Sequence, residues 1–307
     1  MKAKWFIACL LLSSSIAVAG PSHKKAGHHK TSKAKAVKVS KTVAPVKAHA
    51  AEDGRLQLGS AVAMIVDQQS GETLFSRNAS NQAPIASITK LMTAMVVLDA
   101  GLNMDEQITI SEADVDSLRN SGSRLRVGTT LTRQETLQLA LMSSENRAAA
   151  ALARTYPGGT AQFVAAMNRK AVALSMHHSH FVDSTGLHSE NVSTAEDLVK
   201  MVKAGYHYEL IRQMTTAEAY DVVNDNGQRT PYKNTNALIK SPAWEIGLSK
   251  TGFINEAGRC LVMQAQIASR PVIIILLDSL GKYTRIADAN RIKKWLESSR
   301  PSLARLG

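Results

Sequence analysis

The chain has 307 residues, of which 44% are hydrophobic and 20% are charged, and its formal net charge is +12. This composition excludes a disordered, fibrous or collagen-like protein, because it supplies enough apolar residues for one large domain or two small ones. The charge is unevenly distributed, since residues 1–50 contain ten Lys and no acidic residue, which leaves +2 for the rest of the chain. Most of the excess positive charge therefore lies at the N-terminal end.

Residues 1–19 have the order of a secretory signal peptide, with two early Lys, an apolar run and a small-residue cleavage site that ends at Ala19. The apolar run is too short to span a membrane. Residues 20–54 are rich in Lys and His and have no periodic apolar face, so we expect a flexible arm. In an exported protein this arm meets an anionic wall or membrane surface, or is only a solvated tether, and we expect no nucleic-acid partner. The sequence thus predicts an exported protein without a transmembrane anchor.

From residue 55 the pattern is globular. A strand-like pair predicts an opening β-hairpin, the region 101–235 is predicted to be mostly helical, and short β-rich segments follow. Cys260, the only cysteine beyond the leader, is expected to be a buried strand residue with no disulfide partner. The predicted elements are strands 60–66 and 72–76, a helix 87–98 with one buried face, helices 133–141, 146–155 and 161–174, a capping box starting at Ser193, extended segments 245–252, 259–267 and 271–278, and a helix 284–298.

Strands at both ends with helices between them predict an α+β architecture. An antiparallel sheet built from both chain ends would be flanked by helices and would carry an inserted helical subdomain. We expect one domain over residues 55–300, in which 55–100 and 236–300 form the sheet part and 101–235 the helical part, followed by a tail at 301–307. A ligand cleft would form where the sheet edge meets the helical insert.

Ser87 and Lys90 form the first of three motifs that carry chemistry. The two residues lie one helical turn apart at a predicted helix start, so the amine can take the serine proton and the helix end favours the developing negative charge. The same spacing occurs elsewhere, for example at Ser279 and Lys282, so this motif alone is weak.

The second motif is Ser144-Glu145-Asn146, at a break between two apolar helices. Its hydroxyl and amide can project into a cleft, although a Ser or Asn at a helix start is by default an N-cap. The third motif, Lys250-Thr251-Gly252, occurs once and lies on an extended segment. It can hold a substrate backbone beside an edge strand, or its Lys can be a charge that protects an exposed sheet edge.

The order and separation of the three motifs resemble the active-site triplet of the serine penicillin-recognising enzymes. The flanking sequence agrees over residues 84–94, 141–149 and 181–187, which read PIASITKLMTA, LMSSENRAA and FVDSTGL. The chain is therefore similar to the low-molecular-mass penicillin-binding proteins, the D-alanyl-D-alanine peptidases of the cell wall. The resemblance covers about residues 57–300 and implies the β-lactamase/transpeptidase-like fold.

This resemblance implies the catalytic roles. Ser87 would be the nucleophile that attacks a D-Ala carbonyl and forms an acyl-enzyme, which water then hydrolyses. Lys90 would be its general base, with a pKa lowered by the like charge of Lys250. Ser144 would pass the proton to the leaving amine, and no metal or organic cofactor is required.

The resemblance also implies the substrate-binding positions. Asn146 would hold the amide of the donor peptide, while Lys250 and Thr251 would bind the terminal carboxylate. The backbone N–H groups of Ser87 and Phe253 would form the oxyanion hole, with Gly252 permitting close approach. Arg285 would add a second carboxylate contact or be an ordinary surface arginine.

Two features of this sequence differ from those of other members of the family and narrow the range of expected activities. Nothing between the second and third motifs resembles the E-x-x-L-N pattern of class A β-lactamases, so β-lactams are expected to be slow, covalent inhibitors. The short tail at 301–307, the SSENR sequence and the ending YTRIADA at 283–289 resemble the D-alanyl-D-alanine endopeptidases of penicillin-binding protein 7 type. Such an enzyme would hydrolyse the D-alanyl to meso-diaminopimelate cross-link of peptidoglycan.

Two alternatives stay open. A D-alanyl-D-alanine carboxypeptidase that trims pentapeptides shares the acyl-enzyme step and differs only in which amine leaves. A non-catalytic wall-binding protein would use its basic arm and keep an inactive fold, which the intact motif residues disfavour.

Overall fold

The computed structural model describes residues 56–223 and 227–298, so the predicted leader, arm and tail lie outside the described residues. Within those two ranges, no helix combines the length and the apolar character needed to cross a lipid bilayer. The elements, in chain order, are β1 (Ser60–Asp67), β2 (Thr73–Arg77), β3 (Ala83–Pro84), α1 (Thr89–Asp99), β4 (Gln107–Thr109), β5 (Thr130–Thr132), α2 (Arg133–Gln138), α3 (Asn146–Arg154), α4 (Gly159–Ala173), β6 (Val192–Ser193), α5 (Ala195–Gly205), α6 (Glu209–Thr216), β7 (Ala219–Val223), β8 (Arg229–Lys233), β9 (Glu245–Ile254), β10 (Gly258–Ile267), β11 (Arg270–Ser279) and α7 (Thr284–Ser298).

The main sheet has five strands in the order β2-β1-β11-β10-β9. Every neighbouring pair is antiparallel, and β1 pairs with β11 so that Ile65 lies opposite Ile274. Among the described residues, the first and last strands, β1 and β11, thus lie side by side within the sheet, and β9 forms one edge. The predicted α+β fold, with a sheet built from both chain ends, is confirmed.

Both faces of this sheet are buried, which explains why its central strands are continuous apolar runs rather than alternating ones. On one face, Ile65 and Ile274 pack against Ile292 of α7. On the other face, Ile273 and its neighbours pack against α5 and the rest of the helical layer. Cys260 is fully buried on β10, as predicted for a strand residue.

Asp288 of α7 ties the two ends of the domain together. Its buried carboxylate accepts hydrogen bonds from the backbone N–H of Gly59 at 2.9 Å and of Ser60 at 2.8 Å, and from the Ser60 hydroxyl at 2.6 Å. Arg291 also contacts this carboxylate. These bonds fix the start of β1 against the last helix.

Three local predictions are wrong. Thr89–Val97 of α1 are all buried, not one face only, because this helix packs against α3, α4, α5 and α6 and lies at the centre of the helical layer. The region 101–235 is less helical than predicted, since it also contains the β4-β5 ladder, the β7-β8 hairpin and β6. The cap of α5 is Thr194, whose hydroxyl accepts from the Asp197 N–H, because Ser193 is still paired in β6.

Candidate active site

Ser87 lies on a short 3₁₀ turn, Ala86–Ile88, immediately before α1. Ala86 has a positive φ of 48°, a conformation that side chains other than glycine rarely adopt. Gly186 packs directly on this turn, and a Cβ at that position would lie 1.9 Å from the Ala86 carbonyl oxygen. The nucleophile candidate is therefore held on a strained turn that is fixed from a second segment of the chain.

Lys90 lies one turn further along, on α1, and is fully buried. Its Nζ donates hydrogen bonds to Ser87 Oγ at 2.8 Å, to Asn146 Oδ1 at 2.8 Å and to the Thr185 carbonyl at 2.6 Å. The predicted Ser87 and Lys90 pair is thus in contact, and three segments of the chain converge on one amine.

Burial lowers the pKa of Lys90 to about 7, although the carboxylates of Asp183 and Glu145 act in the opposite direction. The lowered pKa agrees with the sequence prediction, and its largest cause is burial of the amine. For Lys250, burial lowers the pKa well below its usual range, and the charges of Lys90 and Arg285 lower it further. A neutral Lys90 amine is accordingly accessible near neutral pH.

Ser144 and Asn146 flank a break between helices, as predicted. A π-helical turn, Leu139–Ser143, ends at Ser144, which has a left-handed φ of 62°. Neither residue caps α3, because the cap position is Glu145 and makes no side-chain capping bond. Instead, Ser144 Oγ accepts a hydrogen bond from Lys250 Nζ at 2.8 Å, and Asn146 Nδ2 donates to Ser121 Oγ at 2.9 Å. The N-cap alternative is therefore wrong.

The Lys250-Thr251-Gly252 motif lies on the edge strand β9. Lys250 is only 1% exposed, so it is not a charge that protects the sheet edge from solvent. Gly252 packs against the nucleophile turn, and a Cβ there would lie 3.1 Å from the Ser87 nitrogen. Thr251 Oγ1 donates to Thr235 Oγ1 at 2.7 Å. Because Gly252 has no side chain, β9 packs closely against the turn that carries Ser87.

Phe253 and Arg285 border the same strand. The Phe253 side chain is 51% exposed, and the Arg259 guanidinium lies 4.5 Å from its ring centroid. Arg285 is half-buried, and its Nη1 donates to the carbonyls of Gly252 at 3.3 Å and Cys260 at 3.4 Å. Burial and the nearby Arg259 lower the pKa of Arg285. Both residues therefore lie beside the Lys250-Thr251-Gly252 motif, and their expected roles in substrate binding stay predictions.

Several residues of the site were not identified from the sequence alone. Asp183 accepts a hydrogen bond from the Thr185 hydroxyl at 2.7 Å and from the Gly186 N–H at 2.8 Å, and so shapes the loop whose carbonyl holds Lys90. The signal for this loop was the FVDSTGL run, in which an Asp precedes a Gly by three residues. Thr235 and Ser121 carry no local pattern that distinguishes them from other polar loop residues.

The repeated Ser-x-x-Lys spacing at Ser279 and Lys282 does not form a second site. Ser279 Oγ lies 2.6 Å from Ser60 Oγ, whereas the Lys282 amine lies over the Tyr283 ring. The two side chains therefore have different partners, unlike Ser87 and Lys90.

The assembled groups are suited to nucleophilic acyl transfer. A serine hydroxyl contacts a buried amine with a pKa near neutrality, and a second buried lysine contacts a second serine hydroxyl. Such an arrangement can activate a nucleophile and return its proton to a leaving group.

Comparisons with known proteins agree with this geometry. The family model for D-alanyl-D-alanine carboxypeptidase, peptidase S11, matches residues 46–281. The chain is 49% identical over 243 residues to a D-alanyl-D-alanine endopeptidase of Pseudomonas aeruginosa, covering 79% of this chain and 78% of the relative. It is 44% identical over 263 residues to a D-alanyl-D-alanine endopeptidase of Escherichia coli, covering 85% and 83%.

Solved structures show the same fold. The DD-transpeptidase of Streptomyces K15 superposes with a TM-score of 0.72 at 30% identity, covering 78% of this chain and 97% of that one. A D-alanyl-D-alanine carboxypeptidase of Mycobacterium tuberculosis has a TM-score of 0.71 at 27% identity, covering 80% and 93%. With matching motifs, matching fold and a family model that spans most of the chain, this protein belongs to the D-alanyl-D-alanine carboxypeptidase family of serine peptidases, peptidase S11.

Proposed function

We propose that the protein is a periplasmic D-alanyl-D-alanine endopeptidase that hydrolyses D-alanyl to meso-diaminopimelate cross-links of peptidoglycan. The observation that carries the proposal is the 2.8 Å contact between Lys90 Nζ and Ser87 Oγ, made by an amine whose pKa is about 7. The preference for cross-links rests on the two relatives at 49% and 44% identity, both named D-alanyl-D-alanine endopeptidase.

The reaction begins when neutral Lys90 takes the hydroxyl proton of Ser87 while Ser87 Oγ attacks the D-Ala carbonyl carbon. The carbonyl oxygen becomes an oxyanion, which the backbone N–H groups of Ser87 and Phe253 stabilise. Gly252 supports this step because its packing against the Ser87 nitrogen leaves no room for a side chain between β9 and the turn that carries Ser87.

Collapse of the tetrahedral intermediate breaks the bond to the leaving amine. The Ser144 hydroxyl gives its proton to that amine and takes one from Lys250 Nζ, so an ester on Ser87 remains while Lys90 still holds the serine proton. Water then attacks the ester and loses a proton to neutral Lys250 through Ser144, and Ser87 Oγ leaves with the proton returned by Lys90. The free carboxylate next to the scissile bond binds Thr251 and Lys250, with Arg285 as a further cationic contact.

The contacts of Asn146 support a role that differs from the one the resemblance implied. Its Oδ1 accepts from Lys90 and its Nδ2 donates to Ser121, so both ends of the amide have protein partners. We infer that Asn146 orients the Lys90 amine, and that the second N–H of its Nδ2, which Ser121 does not use, donates to the amide of the donor peptide.

The second candidate function is D-alanyl-D-alanine carboxypeptidase activity, which the name of the family model favours. The acyl-enzyme step is common to both activities. In both proposals β-lactams acylate Ser87 slowly and covalently. The leader directs export to the periplasm, and the basic arm meets an anionic wall or membrane surface.

The test is mass spectrometry of the purified protein after incubation with cross-linked muropeptide dimers and, separately, with free pentapeptide. Conversion of dimer to monomers supports the endopeptidase, whereas loss of only the terminal D-Ala from the pentapeptide supports the carboxypeptidase. The Ser87→Ala variant is expected to lose at least about 1,000-fold in either activity, together with penicillin labelling.

Hydrolysis by the Ser87→Ala variant at the wild-type rate would contradict the mechanism. Binding of the unmodified protein to wall sacculi without labelling or hydrolysis would instead support the non-catalytic wall-binding alternative.

A further inference from the structure

A row of hydrogen-bonded side chains leads from Ser87 to a carboxylate that the proposed mechanism does not use. Lys90 Nζ contacts Ser87 Oγ and Asn146 Oδ1, both at 2.8 Å. Asn146 Nδ2 donates to Ser121 Oγ at 2.9 Å, and the Ser121 hydroxyl is in turn hydrogen-bonded to the Asp116 carboxylate. The row therefore joins the nucleophile, on the turn before α1, to the segment that precedes β5.

The Asp116 carboxylate is fixed on its own segment. Its Oδ1 accepts hydrogen bonds from the N–H groups of Leu118 and Arg119, both at 2.9 Å, and its Oδ2 accepts from the Ser121 N–H at 2.9 Å. Burial acts to raise the pKa of Asp116, but the hydrogen bonds from the Ser121 hydroxyl and from these N–H groups hold it below its usual value. Asp116 is therefore ionised near neutral pH, and an ionised carboxylate only accepts hydrogen bonds.

This acceptor sets the direction of the hydrogen bonds that follow it. The Ser121 hydroxyl gives its one proton to Asp116, so Ser121 Oγ can only accept from Asn146. The amide of Asn146 accordingly turns its Nδ2 towards Ser121 and its Oδ1 towards Lys90. Without the carboxylate, the Ser121 hydroxyl is free to donate to Oδ1, and Nδ2 would then face Lys90.

The orientation of the Asn146 amide decides which way the neutral Lys90 amine points. Besides Ser87 Oγ, Lys90 Nζ contacts Asn146 Oδ1 and, at 2.6 Å, the Thr185 carbonyl. Both of these oxygens can only accept, whereas a neutral amine has two N–H groups and one lone pair. The two N–H groups are therefore used by Asn146 and Thr185, and the lone pair is left for the hydroxyl proton of Ser87. A reversed amide would donate to this lone pair and compete with Ser87.

We propose that Asp116 and Ser121 are positioning residues, which fix the Asn146 amide so that the lone pair of neutral Lys90 is directed at Ser87. The inference rests on the proposed role of Lys90 as the general base. Both residues act through Asn146, and neither takes part in the bond-forming steps.

The charged groups around Lys90 give this proposal a measurable consequence. Burial lowers the pKa of Lys90 to about 7, and the carboxylates of Asp183 and Glu145 oppose this effect. Lys250, on β9, is the third charged group that acts on the amine. Asn146 Oδ1 adds an acceptor that stabilises the ammonium form. Reversal of the amide replaces this acceptor by a donor, so it should lower the pKa of Lys90 further.

The test is the rate of Ser87 acylation by fluorescent penicillin, measured with the full secreted chain from pH 5 to 9. Asp116→Asn replaces the carboxylate by a group that can also donate. Ser121→Ala removes the hydroxyl, and Ser121→Thr keeps it. The control Ser117→Ala removes an exposed hydroxyl from the same segment. If Asp116→Asn does not fold, the comparison of the two Ser121 variants decides.

Asp116→Asn and Ser121→Ala are expected to lower the rate above pH 7 about tenfold, because the lone pair of Lys90 is then no longer reserved for Ser87. In both variants the fall in rate on the acid side of the pH profile should also move to lower pH, since the ammonium form of Lys90 loses an acceptor. Ser121→Thr and Ser117→Ala should keep the wild-type profile.

A loss by the same factor at every pH would show that Asp116 and Ser121 have only a structural role, and would overturn the proposal. An unchanged profile in Asp116→Asn or Ser121→Ala would also overturn it, as would a Ser121→Thr variant that behaves like Ser121→Ala. A wild-type rate that is constant between pH 5 and 7 would instead contradict the role of Lys90 in the proposed mechanism, and this inference would fail with it.

Discussion

Lys250 Nζ donates a hydrogen bond to Ser144 Oγ at 2.8 Å, although the two residues are 106 positions apart in the chain. This contact joins the edge strand of the sheet to the turn before α3, and so crosses the candidate cleft. Because burial, Lys90 and Arg285 all lower the pKa of Lys250, its proton is more readily released than that of an ordinary lysine. Ser144 is thus in contact with a poised proton donor.

Replacement of Ser144 by alanine should slow acylation of Ser87 by penicillin about 100-fold or more, because the proton relay to the leaving nitrogen is lost while the contact between Ser87 and Lys90 remains. Stopped-flow labelling with fluorescent penicillin measures this rate. The matched control is Ser76→Ala, which removes an exposed hydroxyl from the similar run Ser76-Arg77-Asn78. Acylation of Ser144→Ala at the wild-type rate would exclude the relay.

The rate of Ser87 acylation should fall as the pH drops below about 7. Only the neutral form of Lys90 can accept the serine proton, and its pKa is about 7, so each further pH unit should cost about tenfold in rate. Measurement of the labelling rate from pH 5 to 9 shows this fall in rate on the acid side of the pH profile, which is called the acid limb below. A rate independent of pH between 5 and 7 would rule out Lys90 as the base.

The carboxylate of Glu145 raises the pKa of Lys90, so its removal should move the acid limb to lower pH. The Glu145→Gln variant keeps an acceptor for the Ser123 hydroxyl, which donates to Glu145 Oε2 at 2.7 Å. Glu112→Gln, on an exposed carboxylate, serves as the control and should leave the limb in place. An unshifted limb in Glu145→Gln, or one moved to higher pH, would contradict this electrostatic assignment.

The Gly186→Ala substitution should lower the free energy of unfolding by about 2–4 kcal/mol and slow the acylation of Ser87. The new Cβ would lie 1.9 Å from the Ala86 carbonyl oxygen, so the nucleophile turn must move, and φ at this position is +80°. Gly101→Ala has a φ of +61° but no atom within 4 Å of the new Cβ, so it should cost only about 1 kcal/mol. Equal effects in urea unfolding of the two variants would show that the backbone conformation alone is responsible.

Replacement of Asp288 by asparagine should destabilise the domain by about 2–3 kcal/mol, because a buried acceptor of several hydrogen bonds is replaced by a group that can accept fewer of them. The exposed Asp105 provides the control as Asp105→Asn, with an expected change below about 0.5 kcal/mol. Chemical denaturation followed by circular dichroism measures both. A stability unchanged by Asp288→Asn would show that the clamp between β1 and α7 is dispensable.

The sequence predicted the sheet well because its strands are marked by patterns that depend on local residues. The final helix 284–298 is confirmed with both boundaries, and the opening hairpin is confirmed to within a residue at each end. The position of β9 was predicted from an extended run that contains the Lys-Thr-Gly motif. Buried strands of this kind carry their signal in consecutive apolar residues.

The helical part was predicted less well because its structure depends on tertiary contacts. Every face of α1 is buried because other helices surround it. The spacing of apolar residues within α1 does not reveal those neighbours. The strands of the β7-β8 hairpin alternate between exposed and buried residues, but each has only five residues and β8 contains Pro231, so the strand signal in the sequence is weak. The cap at Thr194 was displaced by one residue because pairing of Ser193 in β6 overrides a local capping pattern.

For the site, the three motifs identified the side chains that meet, but not how each is held. The positive φ values of Ala86 and Ser144 place the two serines, and neither residue type signals that conformation in the sequence. Likewise, the Thr185 carbonyl that accepts from Lys90 is a backbone group, and the chain gives no pattern for it.

The pairing of β1 with β11 has a consequence for when this enzyme can act. Ser60 and Ser279 are in contact although they are 219 positions apart in the chain, so the central sheet requires closure of almost the whole domain, a step that slows folding in topologies of high contact order. Ser87 is synthesised early, but it meets Lys250 and Gly252 only after the last three strands have been added. An incomplete chain therefore has a nucleophile without its binding strand, and an enzyme that cuts cell-wall peptides gains its activity only when folding is finished.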